Sequence, residues 1–157
     1  MKKTLLFIAF LILSLNANAQ YVNVWKDGKL TFETKQKIDT EGYEDETDYD
    51  GENEVLGINM EIINYEDELV EYLRDVKFSS RQGCINMDME ITKDGRSFLT
   101  NYKSHFTVCH DKDDEGYVLN AVIFRDDNQK VYDIALYCYE ISIEEGIKVL
   151  ESFKFLD

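Results

Sequence analysis

The segment Tyr117-Val118-Leu119-Asn120-Ala121-Val122-Ile123-Phe124 is apolar on both sides of an extended chain. Successive side chains of a strand alternate, so Val118, Val122 and Phe124 face one way and Leu119, Ala121 and Ile123 the other. A strand of this kind is covered on both faces and belongs in the middle of a layered structure. Its partner follows across Arg125-Asp126-Asp127-Asn128-Gln129-Lys130, where Val131 to Tyr139 resume the β-prone pattern and close a hairpin.

Downstream, Ser142-Ile143-Glu144-Glu145 has the Ser-x-x-Glu form of a capping box. Ile143, Ile147 and Leu150 mark the buried stripe of a closing helix that ends near Ser152, ahead of Phe153-Lys154-Phe155. Upstream, Lys93-Asp94-Gly95-Arg96 turns the chain into a strand in which Phe98, Tyr102, Phe106 and Val108 fall mostly on one face. Ile85, Met87, Met89 and Ile91 alternate with Asn86, Asp88 and Glu90, which predicts a half-buried strand. Leu69, Val70, Leu73 and Val76 recur at helical spacing and predict an amphipathic helix within residues 64–78, capped by Asn64 or Asp67. Val55 to Ile63 alternates again, with Ile58, Met60 and Ile62 on one face. Tyr21 to Trp25 and Leu30 to Phe32 flank Lys26-Asp27-Gly28-Lys29, an Asp-Gly hairpin signal. This order predicts an α+β fold: a twisted antiparallel sheet of about six to seven strands packed by two main helices.

The aromatic strand end Tyr137-Cys138-Tyr139, the short capped helix and the terminal Ser152-Phe153-Lys154-Phe155 together resemble the close of PsbP-like domains. The strand and helix expected over Val55 to Phe78 fit the same order. The resemblance implies an α/β/α sandwich with a central antiparallel sheet. Its hosts include photosystem accessory proteins, a nuclear-transport regulator and exported bacterial proteins of unknown role, and it carries no shared catalytic motif. Function therefore has to be argued from the site.

Met1-Lys2-Lys3, the apolar run Leu5 to Leu15 and the small-residue positions Ala17 and Ala19 read as a cleavable secretory signal over residues 1–19. The expected product is one globular domain over residues 20–157, periplasmic or secreted, with no stable membrane insertion after cleavage. Cleavage removes Lys2 and Lys3 and no acidic residue, taking the net charge from −15 to −17. Such a charge disfavours nucleic acid, whose recognition rests on Lys and Arg, and favours cationic partners. The segment 39–54 concentrates it: Asp39, Glu41, Glu44, Asp45, Glu46, Asp48, Asp50, Glu52 and Glu54 leave little to bury, which predicts a mobile acidic loop. That loop is also a departure from the PsbP-like pattern.

Glu46, Asp48 and Asp50 precede Gly51, and Asp111, Asp113 and Glu115 precede Gly116. Both echo the first half of a calcium loop, whose ligands at alternate positions lead into a sharp glycine turn. The twelfth position, where a bidentate Glu is needed, falls on Gly57 and Val122, so neither is an EF-hand. Calcium is the one cofactor these residues would accommodate. His105 and Cys109 share a strand face while His110 points to the other, which does not make a convergent metal triad. The parities also place Cys138 inside and Cys109 outside if only one sheet face is core, so no obligatory disulfide is expected.

Two histidines are present, and no Gly-x-Ser-x-Gly, Cys-x-x-Cys or Gly-rich phosphate loop accompanies them. The sequence thus points to a non-enzymatic exported binding or accessory protein whose partner is a protein or small ligand. The competing expectation is a calcium- or metal-responsive module built on the two acidic segments.

Overall fold

The computed structural model describes residues 20–40, 44–64, 75–111 and 116–156. Along the chain run β1 (Tyr21–Trp25), β2 (Leu30–Thr34), β3 (Asp48–Glu52), β4 (Leu56–Asn64), α1 (Val76–Asn86), β5 (Glu90–Asp94), β6 (Lys103–His110), β7 (Tyr117–Arg125), β8 (Lys130–Cys138), α2 (Ile143–Glu151) and β9 (Lys154–Phe155). The strands form two antiparallel sheets, ordered β1-β2-β9 and β3-β4-β8-β7-β6-β5, so the described residues are α+β and mostly β.

The hairpin of β7 and β8 lies inside the six-stranded sheet, as its two apolar sides require. Leu119, Ala121 and Ile123 join Ile134, Leu136, Ile58 and Met60 in the main core, which the small sheet closes with Trp25, Leu30 and Phe32 and which α2 closes with Leu150. On the opposite face, Val122, Phe124 and Val131 form one cluster and Val118, Cys84 and Cys109 another. Helix α2 begins as expected: Ser142 accepts from Glu145 N–H, and the Glu145 carboxylate accepts from Ser142 N–H. The hairpin over Lys26 to Lys29 is also present, with Lys29 at φ 50° closing the turn.

Four expectations need correction. The strand expected over residues 85–91 is instead the end of α1 and its exit. Asp88 adopts the left-handed conformation at φ 57°, Asp88 N–H donates to Ile85 O, and Met89 N–H donates to Cys84 O. That is the paired-bond stop of a helix, and β5 begins only at Glu90. Most of the helix expected within residues 64–78 falls at 65–74, outside the described residues, as does the Asp67 cap. Helix α1 starts beyond Asp75, whose side chain accepts from Phe78 N–H at 3.0 Å.

Second, Phe98 and Tyr102 precede β6 rather than lying in it, because Ser104 Oγ accepts from the Phe98 and Leu99 N–H groups and folds that stretch into a loop. Third, residues 44–54 are not a solvated loop. Strand β3 pairs with β4, Asp39 pairs with Glu52, and Tyr49 and Gly51 are buried. The carboxylates of Asp48 and Asp50 alternate outward, so the strand keeps its charge wet while its other side packs. Fourth, Cys109 is not outside. Helix α1 covers that face, and Cys109 is bonded to Cys84 with Cα atoms 5.8 Å apart. Cys138 is the free, buried cysteine in the main core.

A groove beside helix α1

Register places three parallel rows of side chains across the second face of the large sheet. One runs Asp48, Glu61, Asp133, Val122, His105; the next runs Asp50, Asn59, Ala135, Asn120, Thr107; the third runs Glu52, Gly57, Tyr137, Val118, Cys109. Neighbours in a row stand one strand apart, about 4.8 Å. Helix α1 lies over the β6 and β7 ends of these rows and approaches closely. A Cβ on Gly83 would lie 1.9 Å from Asn120 Nδ2, and Asn120 Nδ2 instead donates to Ser80 O at 3.0 Å.

Next to the helix, over β4 and β8, is a cavity of about 210 Å³. Its polar lining is Asn59, Glu61, Asn86, Asn120, Asp133 and Tyr137, and no Lys, Arg or His is among the described residues that line it. Asp133 Oδ1 is buried and has no hydrogen-bond partner among the described residues. Burial pushes the Asp133 acid up to about 6, with the Ile134 backbone N–H working against it and the Glu61 carboxylate opposite adding to it. Tyr137 is raised as well, first by burial and then by Asp50. Its ring stacks on Tyr139, with centroids 6.4 Å apart at 23°, and Gly57 leaves the room that the Tyr139 hydroxyl occupies. The groove thus offers carboxylate and amide acceptors on its floor and, at one end, the Tyr137 ring stacked on Tyr139. It is the kind of concave site with a perturbed acid that binds ligands.

A polar knot lies under the helix nearby. Ser80 Oγ is 3.0 Å from His105 Nδ1 and 2.9 Å from Thr107 Oγ1. A serine bonded to a histidine is the opening pair of a nucleophilic site. Here Ser80 is fully buried and His105 nearly so, and burial foremost lowers the His105 pKa. The pair clasps helix to sheet. A larger cavity of about 310 Å³ sits between β2 and α2 over Val55, Leu56 and Val149, but Lys35 and Glu145 at its rim pair with each other. Among the described residues, the groove beside α1 is the one that holds a buried side-chain acceptor without a partner.

Those of the expected calcium residues that are described are not brought together. Asp48 and Asp50 stand two residues apart on β3, about 7 Å along the strand. Glu46 is exposed in the preceding turn, and Asp45 rather than Glu46 organises that turn by accepting from Thr47 and Asp48 N–H. Asp111 follows β6, while Asp113 and Glu115 lie outside the described residues. Among the described residues no group of three His, Cys, Asp or Glu is placed to hold a metal ion. His105 and Cys109 do share a face, but Cys109 is spent in the disulfide and His110 packs on Tyr117 at 5.1 Å. Sequence reasoning missed Glu61 and Asp133. They are 72 positions apart and meet only through the β4–β8 register.

A solved structure from Bacteroides thetaiotaomicron VPI-5482 is similar at a TM-score of 0.48 and 8% identity, over 88% of this chain and 48% of that one. This chain therefore spans about half the length of that structure. No protein-family model matches the chain, and no curated protein sequence does. Among the described residues no helix is long and apolar enough to cross a membrane.

Proposed function

We propose that this chain is a non-enzymatic, exported binding protein that takes a small cationic ligand in the groove beside α1. One observation carries the reading: Asp133 Oδ1 is buried in the groove wall with no donor among the described residues. A buried acceptor left without a donor costs about 1 to 3 kcal/mol, more when charged, and a ligand ammonium or guanidinium arriving there recovers it. The Tyr137 and Tyr139 rings add a face on which a cation can rest. The formal charge of −15 draws such a ligand in and repels nucleic acid.

Export rests on the leader-like residues 1–19, and the Cys84–Cys109 pair accords with a periplasmic or secreted location. The finer architecture of this reading is an α/β/α sandwich of PsbP-like type. Its support is the run β8, α2, β9 at the chain end, with α1 on one face of the six-stranded sheet and α2 on the other.

The test is calorimetric titration of the chain with a diamine, arginine methyl ester and a quaternary ammonium salt. Binding is expected at pH 7.5, weaker at pH 5 where Asp133 is protonated, and lost in Asp133→Asn with Glu61→Gln. Failure of all three probes, or equal binding by the double variant, sinks the proposal. Calcium in the same titration examines the competing module: saturable micromolar binding lost in Asp48→Asn with Asp50→Asn would favour it instead.

A further inference from the structure

Among the described residues the two sheets have four edge strands, β1 and β9 in the small sheet and β3 and β5 in the large one. Edges invite pairing with other chains, and proteins blunt them with charge, bulges or brevity. Strand β3 carries Asp48, Asp50 and Glu52; β5 carries Glu90, Lys93 and Asp94 and a register shift between Ile91 and Lys93; β9 is two residues long. Strand β1 has none of these. It reads Tyr-Val-Asn-Val-Trp, uncharged and in unbroken register with β2, with Tyr21 49%, Val22 62% and Val24 42% exposed.

Hydrogen bonding around β2 shows which main-chain groups face that edge. Leu156 N–H donates to Lys29 O, and Glu33 N–H donates to Ser152 Oγ, so the odd positions of β2 address the β9 side. Its even positions Leu30, Phe32 and Thr34 then address β1, where they pair with Trp25, Asn23 and Tyr21. The N–H and C=O groups of Val22 and Val24 therefore point outward, and Lys26 N–H, next in that series, donates to the Glu44 carboxylate at 3.0 Å. Outside this edge runs a slot of about 320 Å³, lined across from β1 by Lys37 to Thr40 and floored by Ile38 and Tyr49.

We propose that β1 is a docking edge on which a net-basic, extended segment of another protein adds as a fourth strand of the small sheet. Val22 and Val24 offer it main-chain bonds, the floor of Ile38 and Tyr49 takes an apolar side chain, and Asp39 and Glu44 outnumber Lys37 among the charged residues lining the slot, which favours basic side chains. A second copy of this chain is the poorer occupant, because two molecules of charge −15 repel. This site is separate from the groove beside α1, and its test uses different variants.

The probe is a synthetic peptide, Lys-Val-Lys-Val-Thr-Val-Lys-Val, with amide hydrogen exchange of the full chain read by NMR. In the free chain the Val22 and Val24 amides exchange fast, and with the peptide they become protected by about ten-fold or more, as newly paired edge amides do. Val24→Pro removes an outward donor without breaking the β1–β2 ladder, since proline is tolerated with its nitrogen facing off an edge. It is expected to weaken the peptide about ten-fold while Val24→Ala binds within about three-fold, both with parental Tm. The proposal is overturned if those amides are already slow in the free chain, if the peptide protects β3 or β5 instead, or if an Asp-for-Lys peptide binds equally well. Concentration-dependent protection of Val22 and Val24 without peptide would overturn it in favour of a second copy.

Discussion

Cys84 on α1 is bonded to Cys109 on β6, with Cα atoms 5.8 Å apart across the helix–sheet contact. The link closes a loop of 25 residues of sequence separation and pins the helix that walls the groove. A loop of that size contributes about 3 kcal/mol by limiting the unfolded chain. Cys84→Ser with Cys109→Ser is therefore expected to lower Tm by roughly 10 °C, read by circular dichroism. Cys138 stays out of this chemistry. It is buried and its thiol is pushed up to about 12, so iodoacetamide should label it only when denaturant unfolds the chain.

Gly83 faces Asn120, and the contact between them sets how closely α1 lies on the sheet. Alanine is the better helix former by about 1 kcal/mol, which by itself would make Gly83→Ala stabilising. The added Cβ would instead displace the Asn120 amide and break its bond to Ser80 O. We expect Gly83→Ala to destabilise by about 1 to 3 kcal/mol in urea melts, with partial recovery in the double variant carrying Asn120→Ala. A stabilised Gly83→Ala would mean that the helix rides higher.

That helix shows where sequence reading reaches its limit. Its buried residues are Ser79, Ser80 and Cys84, with half-buried Gly83 against Asn120, while Phe78 and Ile85 are exposed, so hydropathy points away from the sheet. Close approach needs small residues, and periodicity scores them as surface. By contrast β7, β8 and α2 were legible because large apolar residues and a capping box mark them directly. The groove was not legible at all: Glu61 and Asp133 look like ordinary outward positions until the register sets them side by side.

Asp133 and His105 tilt stability in opposite directions with pH. Asp133 is raised in the folded chain from 3.8 to about 6, so its contribution is fully present below 3.8 and is lost as pH rises through 6. Asp133→Asn removes that loss, and we expect a gain on the order of 2 kcal/mol at pH 8 and none near pH 4 by urea denaturation. His105 is lowered from 6.5 by burial, then by Lys77, so its contribution is present above 6.5 and falls away below it. His105→Gln should flatten the acid side of the same profile. An unchanged pH 8 value for Asp133→Asn would show that the acid is already answered in solution.

Tyr49 decides what the acidic segment is. Were residues 39–54 a solvated loop, replacing Glu41 to Glu52 with a short Gly/Ser linker would leave stability nearly unchanged, because loop length costs little. The structure places the Tyr49 ring in the core, with centroids 5.8 Å from both Trp25 and Phe32, and Trp25 Nε1 donates to Asp45 O at 2.9 Å. Removing a buried aromatic ring costs about 3 to 5 kcal/mol. Tyr49→Ala and the linker replacement are both expected to lower Tm by more than roughly 10 °C, the linker by more because it also removes the β3–β4 ladder. Asp50→Asn, on the outward side of the same strand, should stay within about 0.5 kcal/mol of the parent. If all three variants melted alike, the segment would be a spacer after all, and its charge would be its whole contribution.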